Sequence, residues 1–302
     1  MKDPIYFINR ETGKKEEEKI FYESTLRFLY NSRIGQFFAI AAAKVPLFSY
    51  LYGWWQQRSF SKRKIASFVE RYEVNPSEFE KSLDQFTSFN DFFSRRLKAE
   101  ARPIKGGENS AIIPADGRYL FYQQIDQCDG FIIKGKKFSV ESLLNDAALA
   151  KRYEKGSLVI ARLCPADYHR FHFPCDCTPE PAKLIKGSLY SVNPISIKQK
   201  IDRLTENKRM LAELKTAHFG TLLYIEVGAT CVGSIHQTYS PYHPYRKGDE
   251  KGYFSFGGST LILLFEPNRI RFDEKLTHYS AEHVETRCLL GQTLGNVYFS
   301  SS

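Results

Sequence analysis

Phe256-Gly257-Gly258-Ser259-Thr260-Leu261-Ile262-Leu263-Leu264-Phe265 decides how this chain of 302 residues is read. Five consecutive apolar residues, entered through a glycine pair, read as a core strand that follows a turn. The two glycines permit backbone geometry closed to other residues and leave the Gly258 carbonyl open to attack. Taken alone, Gly-Gly-Ser-Thr is usually no more than a turn before a strand.

Working outward, similar short runs broken by Gly, Pro and Asp recur from Ala111 onward. They include AIIPADG (111–117), RYLFYQQI (118–125), FIIKG (131–135), SLVIARL (157–163) and TLLYIEVGATCVGSI (221–235). A helical piece from Val140 to Tyr153 interrupts them. Strands without regularly alternating helices predict an α+β protein whose catalytic domain is mainly antiparallel β. That domain is expected to span 102–302, after a helical region at 1–101.

The helical region has its own character. FFAIAAAKVPLFSYLYGWW (37–55) is apolar and aromatic, but Lys44 and Pro46 interrupt it, and Pro46 ends or kinks a helix near Val45. A membrane-spanning helix needs roughly 20 uninterrupted apolar residues, so an interfacial, membrane-facing segment is expected instead. Tyr50, Tyr52, Trp54 and Trp55 suit the headgroup level, and Arg58, Lys62, Arg63 and Lys64 follow them. The alternative is a helical pair packed on the main domain with a solvated basic cluster. Further on, Pro76 to Leu97 reads as helical. Phe89, Phe92, Phe93 and Leu97 form one apolar stripe there, and Ser88 or Asn90 is the cap.

Composition sets limits. With 42% hydrophobic residues the chain has material for a real core, and a net charge of +9 with pI near 9.1 favours an anionic partner. The six cysteines, at 128, 164, 175, 177, 231 and 288, contain no CxxC pair and suggest buried thiols in a reducing compartment. The first residues carry no cationic and apolar secretory pattern.

Four segments bear chemistry: Gly258-Ser259-Thr260, Pro114-Ala115-Asp116-Gly117, Asp167-Tyr168-His169-Arg170-Phe171-His172, and Gly228 to Ser234. Each has an ordinary reading, as a turn, a polar histidine pair or a small-residue strand. Two catalytic alternatives also fit them. One is a Ser-His-Asp hydrolase using Ser259, His172 and Asp116, although no G-x-S-x-G elbow is present. The other is an H-x-x-H zinc peptidase using His169 and His172 with Asp116 or His236 as a third ligand.

Together the segments resemble the phosphatidylserine decarboxylase family, pyruvoyl-dependent enzymes that make phosphatidylethanolamine. The resemblance runs through FNDFFSRRLK, PADG, IKGKKFSVESLL, DYHRFHFP, LYSVNP and VGATCVGSI to KGDEKGYFSFGGST, roughly the last two thirds of the chain. Gly257 stands where the family's cleavage motif usually has Leu. The resemblance implies a proenzyme that cleaves itself between Gly258 and Ser259, turning Ser259 into a covalently bound pyruvoyl group. It implies that His172 is the base, that Asp116 orients it, and that His169 serves decarboxylation. The pyruvoyl ketone then forms a Schiff base with phosphatidylserine and accepts the electrons that CO₂ leaves behind. No metal and no nucleic acid are implied. The expected partners are the two self-derived α and β chains, an anionic membrane surface and a second copy in a homodimer. The expected place is the cytoplasmic face of the bacterial inner membrane, peripherally bound.

Overall fold

The computed structural model describes residues 4–20, 23–32, 34–37, 43, 51, 53–126, 132–133, 136–137, 139–197, 203–229, 234–255 and 259–299. The apolar run is a strand, Ser259–Phe265, with all seven residues buried. It pairs antiparallel with Thr221–Val227 on one side and Ser157–Leu163 on the other. Beyond Ser157–Leu163 come Gly117–Tyr122, Glu285–Cys288, Tyr6–Asn9 and Lys15–Glu17. Beyond Thr221–Val227 come Arg209–Lys215 and Lys183–Ile185.

The run is continuously apolar because the sheet is covered on both faces. Leu261, Leu263 and Phe265 join one core cluster with Val159, Ala161, Leu163, Leu222 and Tyr224. Ile262 and Leu264 join another with Leu158, Ile160, Leu223 and Ile225. Successive side chains of a strand point to opposite faces, so each strand feeds two cores in alternation. The second face is closed by helices Val140–Leu144 and Ala147–Tyr153, which contribute Leu143, Leu144, Ala150 and Tyr153. The first is closed by a small antiparallel sheet of Ile235–Gln237, Glu250–Phe254 and Arg170–His172, through Phe171 and Phe254.

The protein is thus α+β, with a mainly antiparallel sheet. Three local expectations are corrected. The helix expected from Val140 to Tyr153 is two helices, because Asn145 takes a left-handed φ of 52° and Asp146 caps the second through the Leu149 N–H. Residues 1–101 are not helical throughout. Tyr6–Asn9 pairs in parallel with Glu285–Cys288, and Lys15–Glu17 pairs with Tyr6–Asn9 in turn. A strand of four residues is too short to declare itself by alternation. Pro76 to Leu97 is mostly tight turns, with one short helix, Phe89–Phe93.

Ser88 caps that helix, accepting from the Asp91 N–H at 3.1 Å. Its Phe89, Phe92 and Phe93 are buried with Phe68, Phe79, Phe86 and Leu97 in a separate aromatic cluster. Of the apolar stretch 37–55, residues 38–42, 44–50 and 52 lie outside the described residues. Among the described residues no helix is long and apolar enough to cross a membrane.

Candidate active site

Ser259 opens its strand opposite Leu163, the last residue of the neighbouring strand. One step along, Arg118, Arg162, Thr260 and Val227 lie in a row across four strands. The loops that carry Asp116, residues 164–169 and residues 228–229 therefore all leave the sheet at this one edge. By alternation Ser259 shares the face of Leu261 and Leu263, the face covered by the Arg170–His172 sheet. Its hydroxyl is buried and has no hydrogen-bond partner among the described residues, an arrangement that costs on the order of 1–3 kcal/mol. Gly257 and Gly258 lie outside the described residues, as do Thr230 to Gly233.

His169 is fully buried, its ring 3.8 Å from that of Phe93 between centroids. Its Nδ1 lies 2.9 Å from the Asp167 carbonyl oxygen, while Nε2 has no partner among the described residues. Its own carbonyl accepts from the Phe254 N–H at 3.0 Å. That bond ties the histidine loop to the strand that leads into 256–259. Burial pulls the His169 imidazole down to about 3, against the Asp167 charge that would raise it.

His172 lies between Phe171 and Phe173, which enter the core, and its ring turns to Tyr168 at 5.8 Å. Its N–H donates to the Pro114 carbonyl at 2.8 Å, which sets its strand beside the Asp116 turn. Its Nδ1 is buried without a partner among the described residues. Burial lowers this imidazole to about 4, opposed by the charges of Glu250 and Asp116. Both histidines are therefore neutral at neutral pH.

Asp116 does not hydrogen-bond to His172. Its carboxylate takes the Arg102 guanidinium in a fork, at 3.0, 3.1 and 2.7 Å, together with the Leu290 N–H at 2.8 Å. A planar guanidinium matches a carboxylate on two bonds at once and outcompetes one imidazole nitrogen. Asp116 reaches His172 only through its charge. His236, farther out, places Nε2 2.8 Å from Ser255 Oγ, four residues before Ser259. Among the described residues no group of three His, Cys, Asp or Glu side chains is arranged to hold a metal ion.

Sequence reasoning missed several charged groups of this region. Asp167 accepts from the Cys164 N–H at 2.7 Å and from Arg118 at 3.2 Å. Arg162 lies buried between Glu18 and Glu285. Glu226 and Lys251 form a buried pair on the Ser259 face. Asp167 stood inside a quoted motif. The arginines gave no signal, because their partners are 49 to 144 residues distant. Asp116, Asp167 and Tyr168 line a cavity of about 340 Å³; Ser259, His169 and His172 do not.

A family model described as phosphatidylserine decarboxylase matches residues 89–296. A phosphatidylserine decarboxylase proenzyme of Chlamydia pneumoniae is 52% identical over 295 residues, 98% of each chain. One from Chlamydia felis is 50% identical over 291 residues, 96% of this chain and 97% of its own. One from Chlamydia trachomatis serovar L2b is 47% identical over 297 residues, again 98% of each chain.

Proposed function

The chain belongs to the phosphatidylserine decarboxylase family and is a carboxy-lyase, and we propose how this proenzyme matures and works. It cuts itself between Gly258 and Ser259 and keeps Ser259 as the source of a covalent pyruvoyl group, with phosphatidylserine as substrate. The observation that carries this reading is the Ser259 hydroxyl, buried and without a partner among the described residues, at the first position of a core strand. Conversion replaces that hydroxymethyl by a methyl, which needs no hydrogen bond, and the described residues offer none. The site therefore fits the product better than the precursor.

In self-cleavage the Ser259 hydroxyl attacks the Gly258 carbonyl and gives its proton to His172, and the acyl group leaves nitrogen for oxygen. Elimination of that ester frees the Gly258 carboxylate, and the dehydroalanine left at 259 takes up water and loses ammonia to give the pyruvoyl group. Burial holds His172 neutral and so available as an acceptor, though a weak one. A weak base suffices for a reaction that each chain performs once. Asp116 favours the protonated ring through its charge while Arg102 fixes its carboxylate. After the cut, 1–258 and 259–302 stay joined, because Ser259–Phe265 is paired on both edges.

The pyruvoyl group, when formed, supplies the electron sink for loss of CO₂. His169 offers Nε2 as the atom that takes up and returns a proton, on the loop that begins opposite Ser259. The enzyme meets its lipid at the cytoplasmic face of the inner membrane through Leu51, Trp54, Trp55 and Phe60, all exposed. Arg58 lies over the Trp54 ring at 4.1 Å and Lys64 over Trp55 at 3.9 Å, which suits an anionic headgroup layer.

Ser259→Ala and His172→Ala test the maturation. Both are expected to remain single chains on denaturing gels while the parent gives two. Two chains from either variant would remove the role assigned to that residue.

A further inference from the structure

We propose that Arg95 and Asp167 are positioning residues that lock His169 into the tautomer carrying its proton on Nδ1, leaving Nε2 as a bare lone pair. This rests on the reading that His169 serves decarboxylation.

The Asp167 carbonyl oxygen can only accept. The His169 nitrogen 2.9 Å away must therefore carry a hydrogen. In the neutral ring this leaves Nε2 without one. The same nitrogen is buried and has no partner among the described residues. A free imidazole side chain prefers the opposite arrangement, so the protein has to impose this one.

The imposition is traceable bond by bond. One Arg95 guanidinium nitrogen donates to two carbonyls at once, Ala166 at 3.0 Å and Asp167 at 3.2 Å. Arg95 is only 4% exposed and lies over the Phe79 and Phe92 rings at 5.0 and 4.9 Å, so it has no other place to go. The Asp167 carboxylate accepts from the Cys164 N–H at 2.7 Å and from Arg118 at 3.2 Å, and the Asp167 N–H returns to the Cys164 carbonyl at 2.9 Å. The turn is closed from both ends. Phe93 packs against the ring and the Phe254 N–H holds the His169 backbone, so a rotation that exchanged the two nitrogens would give up the Asp167 bond. A bare Nε2 accepts a proton first and delivers one only afterwards, which fixes the order in which His169 can act.

The test is nitrogen NMR of ring-labelled histidine in the full chain, with the His169 signals assigned by their loss in His169→Gln. The parent, between pH 5 and 8, is expected to show Nδ1 protonated and Nε2 bare. Arg95→Met should give a tautomer mixture and lower kcat about 10- to 100-fold, at or below the low end of the roughly 10²- to 10⁴-fold that a positioned proton transfer contributes. KM and completion of self-cleavage should not change, and Arg95→Lys should restore part of the lock. A protonated Nε2 in the parent overturns the proposal, and that measurement needs no variant. An unchanged His169 signature in Arg95→Met overturns the role of Arg95. If His169→Gln turns over normally while the signature stands, the role of His169 in decarboxylation fails and the lock survives.

Discussion

Removing the Glu226 carboxylate should loosen the face that carries Ser259. Glu226 lies opposite Leu261, two residues beyond the serine, and Lys251 reaches it from the strand that leads into 256–259. Both side chains are fully inaccessible. Lys251 also donates to Gln237 at 2.8 Å and sits 4.8 Å from the ring centres of Tyr224 and Tyr239. Taking away one partner of such a pair leaves an uncompensated buried charge, at about 3–5 kcal/mol. At about 2–4 °C per kcal/mol for a domain of this order of size, Glu226→Ala should melt roughly 10 °C lower. Burial already pushes the Lys251 ammonium below its ordinary value. Without Glu226 the unfolded chain holds that proton to higher pH than the folded one, so the variant should recover stability as pH rises toward 10. Lys251→Met is the second single variant, and Glu226→Ala with Lys251→Met, which buries no charge, should regain most of the loss. Urea unfolding of the four proteins gives the coupling directly, and a slower self-cleavage should accompany the single variant. A loss under about 1 kcal/mol for Glu226→Ala, or a double variant costing the sum of the singles, would refute the reasoning.

Three other outcomes are expected. His169 and His172, held at about 3 and about 4 against an ordinary 6.5, bind no proton where the unfolded chain does. Stability should therefore fall as pH drops from 6.5 toward 4, by up to about 2.7 kcal/mol per pH unit from the two together. Denaturant titrations should show this slope halved in His169→Gln or His172→Gln, and an unaltered slope would contradict it. Arg162→Met leaves the nearly inaccessible Glu18 and the partly exposed Glu285 without their shared cation, 2.7 and 2.6 Å from where it stood. It should cost about 3–5 kcal/mol by thermal unfolding, and a neutral effect would contradict that. Trp54→Ala with Trp55→Ala should weaken flotation with phosphatidylserine vesicles while leaving self-cleavage intact. Undiminished binding would sink the docking surface.

Ser259–Phe265 was legible because a doubly covered strand must be apolar at every position, and no surface helix needs that. The Phe89, Phe92, Phe93 stripe and its Ser88 cap were legible because capping and a helical repeat are local. The strand at Tyr6–Asn9 was not, since the strand that joins it to the rest of the sheet lies beyond residue 284. The break at Asn145 hid inside a good helical pattern, because a single left-handed residue leaves the apolar spacing almost intact. Within the site, Asp116, His169, His172 and Ser259 stood out as residue types in motifs, and the sheet brings them to one edge. That Asp116 belongs to Arg102, and that Asp167 orients His169, are facts of three-dimensional competition between donors. No spacing along the chain encodes them.

The central claim is that Ser259 is consumed to make the prosthetic group. Intact-mass measurement of the purified chain, before and after reaction with a hydrazide that labels ketones, tests it most directly. Two polypeptides are expected, 1–258 ending in an ordinary carboxylate and 259–302 beginning with a blocked group that the hydrazide labels. A 259–302 fragment that begins with an ordinary serine amine, or an active enzyme that remains one uncut chain, would contradict it.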